Sequence, residues 1–168
     1  MAHAIETRSI SGIMVAYATN GGTMLPINKT ISMIERFNLM YRNQQFQQFD
    51  LYGYQASFLL EIVRNPNISQ DQLTKNMHID KSNVARGCHS LKSNGYITMT
   101  KSIQDRRVTQ LHATLKGVEV SKMIKEVLKK QRNFLMQDFD PNDEQQFLKY
   151  LEWLKHRAMQ LLEIQEER

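Results

Sequence analysis

Residues 69–113 constrain the fold more than any other stretch. Ser69-Gln70-Asp71-Gln72 has the form of a capping box, in which the serine hydroxyl accepts from the third amide and the glutamine side chain reaches back. It opens a helix that ends near Met77. Asp80 is placed to cap a second helix running to about Asn94, and Gly95 supplies the left-handed residue that stops it. Residues 96–101 and 108–113 carry the strand formers Tyr, Ile, Thr and Val and enclose a tip at residues 102–107. Two short helices followed at once by a hairpin fit few arrangements. The order predicts a helix-turn-helix with a β-hairpin beside it.

Helical sequence surrounds this unit. Ile27, Ile31, Ile34, Phe37 and Tyr41 recur at helical spacing and form one apolar stripe, with Asn43-Gln44-Gln45 and Asp50 at its frayed end. Residues 52–64 predict a helix that is apolar nearly all round at Phe58-Leu59-Leu60 and Ile62-Val63, hence central, and ended by Asn65-Pro66-Asn67. Thr114 is placed to cap a long helix to about Asp138, with Val120, Ile124, Val127, Gln131 and Phe134 on one side. Pro141 then takes the first position of a last helix, whose stripe is Phe147, Leu151, Leu154, Ala158 and Leu161. The helices at the two ends of the chain can bury their stripes against each other and against a second copy, so a two-fold dimer is expected.

The formal charge of +5 is unevenly placed. Residues 64–116 hold nine Lys or Arg against three Asp or Glu, a net of +6, which leaves −1 for the remainder. A positive field gathered on the helix-turn-helix implies an anionic partner. The single cysteine, Cys88, excludes an internal disulfide framework and fits a reducing cytoplasm. No run approaches the length of a membrane span, and no membrane partner is expected. Residues 10–18 are apolar and end in Ala-Tyr-Ala, as a signal peptide would, but the run is short and Glu6 opposes Arg8 before it. With Asn20-Gly21-Gly22-Thr23 following and Met24 as an alternative start, residues 1–23 read as a flexible leader or arm.

The second helix of the motif carries the chemistry. Val84, Cys88 and Leu91 form its buried face, while Ser82, Asn83, Arg86, Gly87, Ser90 and Ser93 are assigned to the opposite side. Arginine suits guanine edges, asparagine adenine edges, and serine a base or phosphate in the major groove of duplex DNA. Gly87, lacking a side chain, is expected to let the backbone approach the groove floor. In the hairpin tip, Arg107 is the residue expected in a narrow minor groove, with Asp105 fixing its guanidinium by a bidentate pair. Arg106 and Lys101 would contact phosphates. The helix opened at Ser69 and Gln70 offers free amides to another phosphate, and Lys81 stands at the entry to the reading helix. The expected DNA-binding set is Ser69, Gln70, Lys81, Ser82, Asn83, Arg86, Ser90, Lys101, Asp105, Arg106 and Arg107.

Residues 59–117 resemble the MarR (multiple antibiotic resistance regulator) family of winged helix-turn-helix transcription factors. Ile68-Ser69-Gln70-Asp71-Gln72-Leu73 is similar to that family's first motif helix. Ile79-Asp80-Lys81-Ser82-Asn83-Val84, with Arg86 and Leu91, resembles its recognition helix, and Asn94-Gly95-Tyr96-Ile97 its entry to the wing. Asp105-Arg106-Arg107, then Leu111, Thr114, Lys116 and Gly117, resemble the wing signature and the start of the next helix. The chain departs from the family's pattern at Ala85, Gly87, His112 and Ala113. The resemblance implies a homodimer on a pseudo-palindromic operator, usually repressing, and released by a small lipophilic or phenolic effector or by oxidation.

The fold class expected is mainly α with a small β-hairpin wing (α+β): a winged helix-turn-helix flanked by N- and C-terminal dimerisation helices. The expected division is a leader at 1–23, a dimerisation helix at 24–50, the DNA-binding unit at 51–117 and long dimerisation helices at 118–168. Catalytic motifs are wanting: no Gly-rich phosphate loop, no nucleophile elbow, no paired carboxylates, so no enzyme and no cofactor are expected. His3, His78, His89, His112 and His156 show no ligand spacing, and no metal site is expected. Cys88 lies on the Val84/Leu91 stripe, which argues for an inert thiol. Met33, Met40, Met77 and Met99 read as core filling, with an adaptable ligand cavity as the other reading. The alternative to a DNA-binding regulator is a winged-helix module that binds another protein and does not read DNA sequence.

Overall fold

The structure is a computed structural model and describes residues 27–162. Residues 1–23, read above as a leader, lie outside the described residues. The chain forms two compact units, one holding residues 27–130 and the other residues 131–162.

In the first unit α1 (Ile27–Phe46) runs into a short 3-10 turn, Gln47–Phe49. Its stripe is exposed at Ile27, Ile31, Ile34 and Phe37, and Phe46 is its one buried residue. α2 (Gln55–Arg64) begins three residues later than the sequence predicts. Asp50 and Gly53 have φ of 51° and 57°, left-handed values that a right-handed helix cannot include. Once formed, α2 is central as expected, burying Ala56, Phe58, Leu59 and Ile62.

α3 (Gln70–Met77) opens on the predicted capping box. The Gln72 amide donates to Ser69 Oγ at 3.0 Å, and the Ser69 amide donates to Gln72 Oε1 at 3.0 Å. His78 ends α3 at φ 50°, a conformation that costs a non-glycine residue roughly 1–2 kcal/mol. α4 (Lys81–Ser93) starts at its Asp80 cap. It ends as a Schellman turn: the Gly95 amide donates to Lys92 O and the Tyr96 amide to Leu91 O, with Gly95 at φ 74°.

β1 (Ile97–Lys101) and β2 (Thr109–Ala113) pair antiparallel, with Ile97 opposite Ala113 and Lys101 opposite Thr109. The Leu111 amide donates to Ile68 O at 2.9 Å, which ties the residues before α3 to β2 and anchors the hairpin on the helical body. α5 (Leu115–Met136) begins under Thr114, whose Oγ1 accepts from the Gly117 amide and donates to Gly95 O. Here a glycine is required: a Cβ at Gly117 would stand 2.1 Å from Tyr96 O. Lys116 reaches the same junction, donating to Asn94 O and lying 4.7 Å over the Tyr96 ring. Leu59, Ile62, Leu73, Leu91, Ile97, Leu111 and Ile124 are fully buried and form the core beneath the motif.

In the second unit the Asp140 carboxylate caps α6 (Pro141–Leu161) by accepting from the Asn142 and Asp143 amides, with Pro141 at the first position. The Phe139 and Phe147 rings pack at a tilt of 38° with centroids 5.2 Å apart, and Arg132 pairs with Glu144. No residue of α6 is buried, and Phe147, Leu151 and Leu161 of its stripe are exposed.

Candidate nucleic-acid interface

α4 sits on the core through Val84, Cys88 and Leu91 as predicted, and Lys81, Ser82, Asn83, Arg86 and Ser93 are exposed. Ser90 is half-buried at the edge of that face. Gly87 is the correction. It is buried, and a Cβ there would meet Phe58 Cε2 at 2.5 Å and Cδ2 at 2.7 Å. Gly87 follows Val84 by three positions and precedes Leu91 by four, which is inner-face arithmetic. It allows α4 to approach α2, not a groove floor.

Asp80 does more than cap. Its Oδ1 accepts from the Asn83 amide at 2.9 Å, and its Oδ2 accepts from Asn83 Nδ2. Asn83 Oδ1 in turn accepts from Arg86 Nη2. The Asn83 amide, joined by the Asn83 side chain and the Arg86 guanidinium, holds the Asp80 carboxyl below the usual carboxylate range despite a desolvation cost. Two expected base readers are thus linked to a residue read from sequence only as a cap. The spacing Asp80, Asn83, Arg86, each three residues apart, was the available signal.

Other expected residues are engaged within the protein. Lys81 Nζ lies 2.7 Å from Asp71 Oδ1 in an exposed pair, an arrangement generally worth ~0–1 kcal/mol. Ser69 Oγ serves the α3 cap. Gln70 is half-buried and hydrogen-bonds the Cys88 thiol, which directs its side chain inward. Cys88 is fully buried, and burial pushes its thiol up to about 11 against the opposing Gln70 bond. It is a protonated core residue at neutral pH.

The hairpin tip is braced by its own backbone. The Ser102 amide donates to Val108 O at 3.0 Å, and the Val108 amide to Asp105 O at 2.9 Å. Ser102 is buried, and its Oγ accepts from the Gln104 and Asp105 amides. The expected bidentate Asp105–Arg107 pair does not form: Asp105 Oδ1 accepts from the Arg107 backbone amide at 2.9 Å. A carboxylate two residues before an amide closes a short local ring, which costs less chain entropy than folding a long arginine back. Asp105 therefore shapes the loop and leaves the guanidinium free. Arg106 and Arg107 are both exposed, and among the described residues no carboxylate pairs with either. Lys101 Nζ donates to Thr109 Oγ1 across the strands, and Thr100 Oγ1 lies 2.7 Å from His112 Nε2. Ile103, passed over in the sequence, is wholly exposed at the tip.

The methionines do not gather. Met33 and Met40 are exposed on α1, whereas Met77 and Met99 lie against the core. Among the described residues no group of three or more His, Cys, Asp or Glu could hold a metal ion.

A capped helix pair, a polar exposed helix face and a cationic hairpin define a winged helix-turn-helix protein. The comparisons agree. The MarR family matches residues 50–108. The chain is 29% identical over 102 residues to the HTH-type transcriptional regulator YybA of Bacillus subtilis (strain 168), covering 61% of this chain and 68% of that one. The crystal structure of MarR has a TM-score of 0.73 at 27% identity, covering 83% of this chain and 95% of that one. The S. aureus MepR–DNA complex shares the fold, with a TM-score of 0.76 at 15% identity over 80% of this chain and 99% of that one. Residues 50–108 thus match the MarR family of transcriptional regulators, and the chain shares the fold of the MarR crystal structure.

Proposed function

We propose that the protein is a homodimeric repressor that binds a pseudo-palindromic DNA operator and is released by a small lipophilic or phenolic effector. The observation that carries DNA binding is the braced tip: its backbone is tied down while Arg106 and Arg107 remain exposed, with their cations free for an anion. α4 would lie in the major groove, with Arg107 in the adjacent minor groove and Arg106 and Lys101 on phosphates. MepR, of like fold, is found in complex with DNA, which supports DNA as the partner.

Dimerisation is supported by the apolar stripes of α1 and α6, which their own units leave exposed at Ile27, Ile31, Ile34, Phe37, Phe147, Leu151 and Leu161. The division follows: residues 24–50 and 118–168 for association, residues 51–117 for DNA. No helix among the described residues is long and apolar enough to cross a membrane, which fits a cytoplasmic regulator. The effector rests on family likeness alone.

Sedimentation of the purified protein, with and without a pseudo-palindromic duplex, tests the reading together with fluorescence anisotropy at 50 and 200 mM salt. A dimer whose affinity falls steeply with salt supports it. A monomer, or a protein with no duplex affinity, would favour the protein-binding module instead. Small aromatic acids that dissociate the complex would identify the effector class, and a wide panel without effect would remove that part.

A further inference from the structure

We propose that Asp80 is a positioning residue for Arg86 and that, without touching DNA, it determines how sharply α4 selects one base pair in each half-site. The inference rests on the DNA-reading role above.

The Asp80 carboxylate has two oxygens with separate duties. Oδ1 takes the Asn83 backbone amide and serves the helix cap. Oδ2 takes Asn83 Nδ2. A carboxylate only accepts, so it selects one of the two flips of the Asn83 side-chain amide: nitrogen toward Asp80, carbonyl oxygen away. That oxygen then faces the next turn of α4 and accepts from Arg86 Nη2. The order is acceptor, donor, acceptor, donor, and each link fixes the next.

The consequence falls on Arg86. A free arginine side chain carries about 2 kcal/mol of rotamer entropy, part of which is lost on binding a base. Here one of its five N–H donors is already held, and the fork keeps the others for a guanine O6/N7 edge. Asn83, expected above as an independent adenine reader, becomes the bridge. Asp80, Asn83 and Arg86 are all exposed, so the chain of bonds lies on the face offered to the groove. The neighbouring cation, Lys81, is occupied by Asp71 and does not compete for Asp80.

Two substitutions separate this role from capping. Asp80→Ser keeps one oxygen, and serine is among the best N-caps, so the helix start survives while the second acceptor is lost. Asp80→Asn keeps the shape but turns a donor toward Asn83 Nδ2, which forces the amide to flip and present nitrogen to Arg86. Selection from a library of randomised duplexes, by the full-length protein and by each variant, gives the base preference at every operator position. Arg86→Ala should erase preference at one position per half-site. Both Asp80 variants should lower preference at that same position by roughly three- to tenfold and leave the others intact. If the Asp80 variants keep the wild-type preference there, or lose affinity evenly at all positions, the relay is wrong and Asp80 is only a cap. If Arg86→Ala leaves every preference unchanged, Arg86 is not the reader and the inference falls with it. If the wild-type protein returns no motif at all, the DNA-reading role itself has failed.

Discussion

Gly87→Ala is the substitution that most directly separates packing from DNA contact within α4. The new methyl would stand 2.5 Å from Phe58 Cε2 and 2.7 Å from Cδ2. Carbon atoms in favourable contact are about 3.5–4.0 Å apart, so helix or ring must give by roughly 1 Å. Phe58 is 2% exposed and lies in the same core as Leu59, Ile62, Val84 and Leu91, so its ring has no open side to turn into. Overpacking of this kind costs ~1–3 kcal/mol. Alanine returns roughly 1 kcal/mol of helix propensity over glycine, which leaves a net loss of ~0–2 kcal/mol.

Because that net is small, the informative quantity is the coupling to Phe58. Phe58→Leu alone opens a cavity and lowers stability, but it also clears the space the Gly87→Ala methyl needs. The double variant should lose less stability than the sum of the two single losses, by about 1–2 kcal/mol, since residues in contact couple while distant ones add to within ~0.5 kcal/mol. Urea unfolding followed by circular dichroism, at one protein concentration because a dimer's stability depends on it, supplies the four free energies of the cycle. Additive energies, together with a fall in duplex affinity on Gly87→Ala alone, would refute the packing account and restore glycine to the groove.

Gly117→Ala should be worse than Gly87→Ala, at or above the upper end of ~1–3 kcal/mol for overpacking, because the obstacle 2.1 Å away is the Tyr96 carbonyl and backbone cannot rotate aside; an unaltered urea midpoint would contradict this. Arg107→Ala should weaken duplex binding by ~1–3 kcal/mol if it reads the minor groove, with the fold unchanged by circular dichroism. Equal affinities by anisotropy would remove Arg107 from the interface. Cys88 should react slowly with a thiol reagent at pH 8 in the native protein and quickly in urea. Since burial raises its folded ionisation to about 11 from an ordinary 9.0, the buried thiol's contribution to stability is complete below pH 9 and is lost as pH climbs toward 11. Stability flat across that window in wild type, matching a Cys88→Ala variant, would argue against a buried neutral thiol.

What the sequence discloses and what it withholds divide by range. The caps at Ser69, Asp80 and Thr114 are settled within three residues of themselves, and each forms as the local chemistry demands. The Schellman turn at Gly95 is equally local. The start of α2 was misplaced because Tyr52 to Arg64 looks continuously helical while Asp50 and Gly53 take left-handed values set by the turn they build. The Gly87 assignment failed for a different reason. Its own periodicity placed it inward, but a glycine has no side chain to declare a face, and only the nearness of Phe58, 29 positions earlier, decides it.

The wing and the reading helix share a further lesson about charge. The sequence pairs Asp105 with an arginine side chain and leaves Asp80 with a backbone duty; the structure gives Asp105 to the Arg107 backbone and joins Asp80 to the Asn83 side chain and, through it, to Arg86. Both carboxylates follow one rule: a short acidic side chain takes the nearest unsatisfied amide first and uses what remains. At Asp105 the loop leaves one such amide in reach, so the wing cation stays free. At Asp80 the cap uses one oxygen, and the helical pitch carries Asn83 under the other. A free arginine in the wing suits a groove whose potential does most of the selecting. A tethered arginine on α4 suits an edge where one atom's position separates guanine from the other bases.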